Sequence, residues 1–121
     1  MTTYQLPPIC ILGLGLIGGS LMRDLTISNE RVFGYTMHGA RAAQRDGFDV
    51  SDNMEEVLRR AEADNALIVV AVPMAAVASV LDQVASFAPT CDITDVVSVK
   101  ERVYDLIVER DMQGRYVGGH P

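Results

Sequence analysis

Residues Ala66 to Ala78 run for 13 positions without a charged or polar side chain, broken only by Pro73. A membrane-spanning helix needs about 20 such residues, so this run is too short to cross a bilayer. Its first half, Ala66–Val72, is continuously apolar, as expected of a central strand buried on both faces. Such a strand needs helices above and below it, and that requirement points to a layered α/β architecture.

The rest of the chain supplies those layers. Ile9–Leu12 reads as the first strand, and Leu16–Leu25 as a helix with apolar positions Leu16, Ile17, Leu21 and Leu25, ended by Ser28-Asn29. Arg31–Tyr35 is a second strand, Gly39–Asp46 a short helix closed by Gly47, and Phe48–Val50 a short third strand. Asn53 caps a helix running through Glu62, with Glu55 and Glu56 in its first turn, where the helix dipole favours acids. After Pro73, Val77, Val80, Leu81, Val84 and Phe87 recur on one helical face. Ile93–Val99 is a strand, Lys100–Arg110 a helix with Val103, Leu106 and Ile107 inward, and Arg115–Val117 a last strand. Strands separated by helices require right-handed crossovers. The expected fold is therefore a doubly wound, mainly parallel Rossmann-type sheet of about six strands, in a single domain over residues 1–121.

Composition narrows the function. With 49% apolar and 21% charged residues the chain is globular, and 121 residues suffice to bury roughly two thirds of the unfolded surface. The balance of 10 basic against 16 acidic residues, a net −6, argues against nucleic acid as a partner. No signal peptide is visible at the start, and Cys10 and Cys91 match no metal or redox spacing. Cys10 lies within an apolar run, the setting of a reduced buried thiol. The expectation is a cytoplasmic protein with no membrane segment and no metal.

The chemistry lies in the turn after the first strand. Gly13-Leu14-Gly15-Leu16-Ile17-Gly18-Gly19-Ser20 contains G-x-G-x-x-G at Gly13, Gly15 and Gly18. Gly13 permits a tight turn, Gly15 lets backbone approach a pyrophosphate, and Gly18 lets the helix pack closely on the strand. The helix N-terminus then presents free N–H groups to the phosphates. Bare glycine strings are common, but this one sits between a strand and a helix at the start of a βαβ series, the context that gives it meaning. The candidate cofactor-binding residues are Gly13, Gly15, Leu16, Ile17 and Gly18, with Val72 and Pro73 at the end of the central strand and Thr36, His38 and Arg41 after the second. Dinucleotide sites for NAD place an acid near the end of the second strand. From Arg31 to Arg45 there is no acid, Thr36 stands where one is expected, and Arg41 is placed to pair with a 2′-phosphate, which favours NADP over NAD. Arg41 and Arg45 also fit solvated charges on a surface helix.

The strings Gly13-Leu14-Gly15-Leu16-Ile17-Gly18-Gly19-Ser20-Leu21, Gly34-Tyr35, Ala71-Val72-Pro73, Thr94-Asp95-Val96-Val97-Ser98-Val99-Lys100 and Gly118-Gly119-His120-Pro121 together resemble the prephenate/arogenate dehydrogenases of tyrosine biosynthesis, over nearly the whole chain. The resemblance implies NAD(P)-dependent oxidative decarboxylation of prephenate or arogenate. It implies two catalytic residues: His120, accepting the ring-hydroxyl proton, and Ser98, lying near that hydroxyl and the nicotinamide. Imidazole titrates near neutrality, which suits the first role. Lys100 reads either as a solvent-facing cation at a helix start or as part of the site. The family continues beyond its His-Pro into a helical domain that carries the homodimer contacts and the substrate-binding arginine. The chain is accordingly expected to be the cofactor domain of a longer enzyme, inactive by itself. Two other readings stay open on the residues alone: a non-catalytic nucleotide-sensing module, and a fragment of a 3-hydroxyacid-type dehydrogenase.

Overall fold

A computed structural model describes residues 5–97 and 99–118. Its elements alternate: β1 (Ile9–Leu12), α1 (Leu16–Ile27), β2 (Val32–Tyr35), α2 (Ala40–Arg45), β3 (Val50–Ser51), α3 (Met54–Asp64), β4 (Leu67–Val70), α4 (Met74–Phe87), β5 (Ile93–Asp95) and α5 (Lys100–Glu109), then a 3₁₀ turn at Gln113–Arg115. The five strands form one parallel sheet in the order β3-β2-β1-β4-β5. This is the doubly wound Rossmann-type architecture expected, with five strands in place of six.

The strand sequences show why both faces are covered. Cys10 and Leu12 of β1 and Ile68 and Val70 of β4 pack with α3, α4 and α5 in the larger core, which includes Leu58, Val77, Leu81, Val84, Val103 and Ile107. Ile9, Ile11 and Val69 point the other way, to Met22, Leu21 and Leu25 of α1 and Ala43 of α2. Successive strand residues thus alternate between two apolar layers, and no polar side is left. Each fully buried Ile or Leu contributes roughly 1.5–3 kcal/mol relative to exposure. At the start of α3 the Asn53 side chain accepts from the Glu56 N–H at 3.1 Å, with Glu55 and Glu56 in the first turn.

Three expectations need correction. The last strand, Arg115–Val117, does not form. Arg115 turns back to donate to the Ala88 and Cys91 carbonyls, both at 2.8 Å, so the chain meets β5 only through the Ile93–Tyr116 bridge and the Val117 N–H on the Ile93 carbonyl. β5 ends at Asp95 instead of Val99, because the Asp95 carboxylate is drawn back to Lys100. The third strand is only Val50–Ser51. Of the apolar positions of α1, Leu16 and Ile17 are 90% and 59% exposed, and Gly18 and Met22 are the buried positions of that helix.

Sheet order reverses between β1 and β4, since the chain leaves β1 toward β2 and returns to pair β4 on its other side. In open α/β sheets ligands occupy the crevice outside the carboxyl ends at that switch point.

Candidate functional site: a cleft at the carboxyl edge of the sheet

A cleft of about 880 Å³ lies at this switch point. It runs from the end of β2 (Tyr35, Thr36, Met37, His38), past the β1–α1 turn (Gly13 to Ile17), to the ends of β4 (Ala71, Val72, Pro73) and β5 (Val96, Val97). Its side walls come from the first turns of α3 and α4, through Met54 and Met74, and from Ser79 and Gln83 farther along α4.

The glycines shape this cleft as backbone geometry demands. Gly13 has φ +105°, and a Cβ there would lie 2.7 Å from the Ala71 carbonyl oxygen, so neither conformation nor space admits a side chain. A Cβ on Gly18 would run into the Gly13 carbonyl oxygen, so this glycine sets how closely α1 approaches β1. Gly15 is different. It has ordinary φ of −72°, and a Cβ built there meets no atom within 4 Å. Gly15 is the N-cap of α1, where no side chain caps the helix and no acid sits in the first turn. The free N–H groups and positive end of a 12-residue helix therefore face a space that only a side chain at 15 would fill. Two negative charges of a diphosphate fit that cradle in charge, in donors and in room.

Of the ten residues expected to hold cofactor, Gly13, Gly15, Leu16, Ile17, Thr36, His38, Val72 and Pro73 line the cleft. Gly18 lies behind the turn as a spacer, and Arg41 lies outside the lining, exposed in the first turn of α2. Leu16 and Ile17, apolar and exposed at the start of α1, form an apolar lip over the cleft. Thr36 is buried, and its hydroxyl donates to the His38 carbonyl at 2.7 Å, so it braces the loop after β2. His120 and Ser98 lie outside the described residues.

Beside the cleft is a group that the sequence only half disclosed. Asp95, its side chain 1% exposed, accepts from Lys100 Nζ at 2.5 Å (Oδ1) and 3.2 Å (Oδ2), and Lys100 also reaches the Asp95 carbonyl at 3.2 Å. Tyr116 Oη donates to Asp95 Oδ2 at 2.8 Å. Burial first, and the bond to Asp95 second, push the Tyr116 phenol well above its usual range. Lys100 is thus a paired cation one third exposed. The spacing Asp95-x-x-x-x-Lys100 was visible, but Tyr116, 21 residues from Asp95, carries no local signal. Met37, Met54, Met74, Val96 and Val97 were also missed, since apolar lining and core look alike in a sequence, and so were Ser79 and Gln83, which no motif marks as facing a cleft.

A second cavity of about 510 Å³, at the amino edge, is lined by Pro8, Arg31, Asp49, Arg60 and Asp64 among others. Arg60 there is already paired with Asp49 at 2.9 Å and stacked 4.0 Å over Phe33, so the charges satisfy each other.

Comparison with known proteins decides the family. The family model described as prephenate dehydrogenase, nucleotide-binding domain, matches residues 21–121. The chain belongs to that family. The match begins beyond the glycine turn, whose assignment as a cradle stands on its geometry. Among solved structures, a protein from Corynebacterium glutamicum named as a candidate prephenate dehydrogenase is 58% identical, with TM-score 0.91 over 95% of this chain and 37% of its own. An arogenate dehydrogenase from Synechocystis is 24% identical (TM-score 0.69, 94% of this chain, 40% of that one). An imine reductase variant from Myxococcus stipitatus, solved with NAD+, is 18% identical (TM-score 0.71, 94% and 40%). These last two share the fold. No curated protein matches the chain. The chain spans under half the length of these structures, and no helix among the described residues is long and apolar enough to cross a membrane.

Proposed function

We propose that residues 1–121 form the NAD(P)-binding domain of a dehydrogenase that oxidatively decarboxylates prephenate or arogenate in tyrosine biosynthesis, in the cytoplasm. The observation that carries this reading is the open cradle at Gly15, at the N-terminus of α1 and the sheet's switch point, in a chain of this family. The Gly15–Ile17 backbone would hold the diphosphate. The loop braced by Thr36 would take the adenosine ribose, and Val72, Pro73, Val96 and Val97 would wall the nicotinamide end. The absence of acid after β2, with Arg41 exposed nearby, favours NADP over NAD.

A bound nicotinamide supplies hydride acceptance from the substrate ring. On the side of this chain, His120 would take the hydroxyl proton and Ser98 would orient that hydroxyl, as the family resemblance implies. Filled by cofactor and substrate, the largely apolar cleft would exclude water, which strengthens each electrostatic contact within it. A helical domain beyond His120-Pro121 would bring the substrate's carboxylate partner and a homodimer contact, so the 121 residues alone bind cofactor and turn over little substrate.

Calorimetric titration of the chain with NADP and NAD tests the proposal. Saturable binding, tighter for NADP, is expected. A folded sample that takes up neither at millimolar concentration overturns it.

A further inference from the structure

A buried carboxylate is costly unless its charge is matched and its lone pairs are filled. Asp95 meets that condition with one partner from the start of α5 and one from the segment after the 3₁₀ turn. Three stretches of chain are therefore tied at one point. Val96 and Val97, which follow Asp95 directly, are cleft-lining residues, and the Val96 N–H continues the sheet to the Val70 carbonyl at 3.1 Å. On the other side, the Val117 N–H binds the Ile93 carbonyl at 2.6 Å, and the Tyr116 ring lies against Gly118 so closely that a Cβ there has no room. The clasp thus sits behind the β5 end of the cleft. The adenosine ribose belongs to the β2 end and the diphosphate to the β1–α1 turn, so the β5 end is where the nicotinamide half extends.

We infer that Asp95, Lys100 and Tyr116 are positioning residues that hold the Val96–Val97 wall in the arrangement the nicotinamide half of the cofactor requires. The inference rests on the cofactor-binding reading above. None of the three needs to touch the cofactor. They act by keeping the competent arrangement populated, and apparent affinity scales with that population.

The test compares NADP with 2′-phospho-ADP-ribose, which lacks only the nicotinamide, by calorimetry on the 121-residue chain. The double variant Asp95→Asn/Lys100→Met removes both charges together and leaves neither buried alone. Tyr116→Phe removes only the phenol oxygen and guards against a double variant that does not fold. If the wall becomes competent only about 10–20% of the time, the dissociation constant for NADP rises roughly 5- to 10-fold. That for 2′-phospho-ADP-ribose stays within about twofold, since its contacts lie at the other end. Tyr116→Phe gives the same split at smaller size. Equal weakening of both ligands marks a merely structural clasp and overturns the inference, as does no weakening of either. If the unaltered chain binds neither ligand, the cofactor-binding reading itself falls and takes this one with it.

Discussion

Gly15 and Gly18 lie three residues apart in one motif, and the geometry assigns them opposite consequences on substitution by alanine. At Gly18 the new methyl group runs into the Gly13 carbonyl oxygen and comes within 3.1 Å of the Ala71 Cβ. Backbone on one side and a packed strand end on the other leave no flexible atom to yield, so α1 must lift from β1. Overpacking of this kind costs about 1–3 kcal/mol, which lowers the melting temperature by roughly 3–12 °C for a chain of this length. At Gly15 the methyl group enters open space at an ordinary φ of −72°. Alanine is a poorer N-cap than glycine by about 0.5–1 kcal/mol, and it restricts the unfolded chain by about 0.4–1 kcal/mol in the opposite direction. The two nearly cancel, so folded stability stays within about 1 kcal/mol. Affinity behaves differently, because the methyl group stands where the diphosphate must approach the helix N-terminus. We expect Gly15→Ala to weaken NADP at least tenfold, about 1.4 kcal/mol or more, with little change in thermal unfolding. Differential scanning calorimetry without ligand and isothermal titration with NADP measure the two effects separately. The reasoning is refuted if Gly15→Ala binds NADP as the unaltered chain does, or if it loses as much stability as Gly18→Ala.

Three further outcomes follow from the same geometry. Arg41→Gln should weaken NADP by roughly 3- to 10-fold with NAD unchanged, and the difference should shrink at high salt, as for an exposed phosphate contact; a parallel loss for both cofactors would place Arg41 away from the 2′-phosphate. Thr36→Val removes the 2.7 Å bond to the His38 carbonyl and should cost about 1 kcal/mol in denaturant unfolding, while weakening adenosine 2′,5′-bisphosphate along with NADP. Burial, then the nearby Glu62 charge, push the Cys91 thiol up from 9.0 to about 11. The folded state then holds its proton more tightly than the unfolded state. That contribution is complete below pH 9 and is lost as pH rises toward about 11. Denaturant midpoints between pH 8.5 and 11 should fall more steeply for the unaltered chain than for Cys91→Ala, and coincident slopes would contradict the assignment.

The fold was legible where burial leaves a periodic trace. Ala66–Val72 declared a strand covered on both faces, and Val77, Val80, Leu81 and Val84 declared the face of α4 that covers it. Reading failed where a long-range polar contact overrides a local preference. β-branched residues through Val99 favour a longer β5, yet the Asp95–Lys100 pair turns the chain four residues earlier. Arg115–Val117 reads as a strand, but the Arg115 guanidinium is claimed by the Ala88 and Cys91 carbonyls in the connection between α4 and β5. Leu16 and Ile17 show the converse limit. Hydrophobicity announces that a side chain avoids water and does not say whether a core or a ligand will cover it. The glycine turn was legible at Gly13 and Gly18, because each answers a steric requirement that a strand-to-helix turn imposes, whereas Gly15 meets no such requirement within the chain. Tyr116 was not, since nothing in its own neighbourhood marks a partner 21 residues away.

The central claim is that the N-terminus of α1 holds a dinucleotide's diphosphate. Amide chemical-shift mapping of the ¹⁵N-labelled chain during titration with NADP tests it most directly. The account predicts that the largest saturable changes fall on the amides of Gly15, Leu16 and Ile17, with smaller ones at Met37–Gly39 and Val96–Val97. Changes confined to the amino-edge cavity around Arg31 and Arg60, with the amides of residues 15–17 unmoved at saturation, would contradict it.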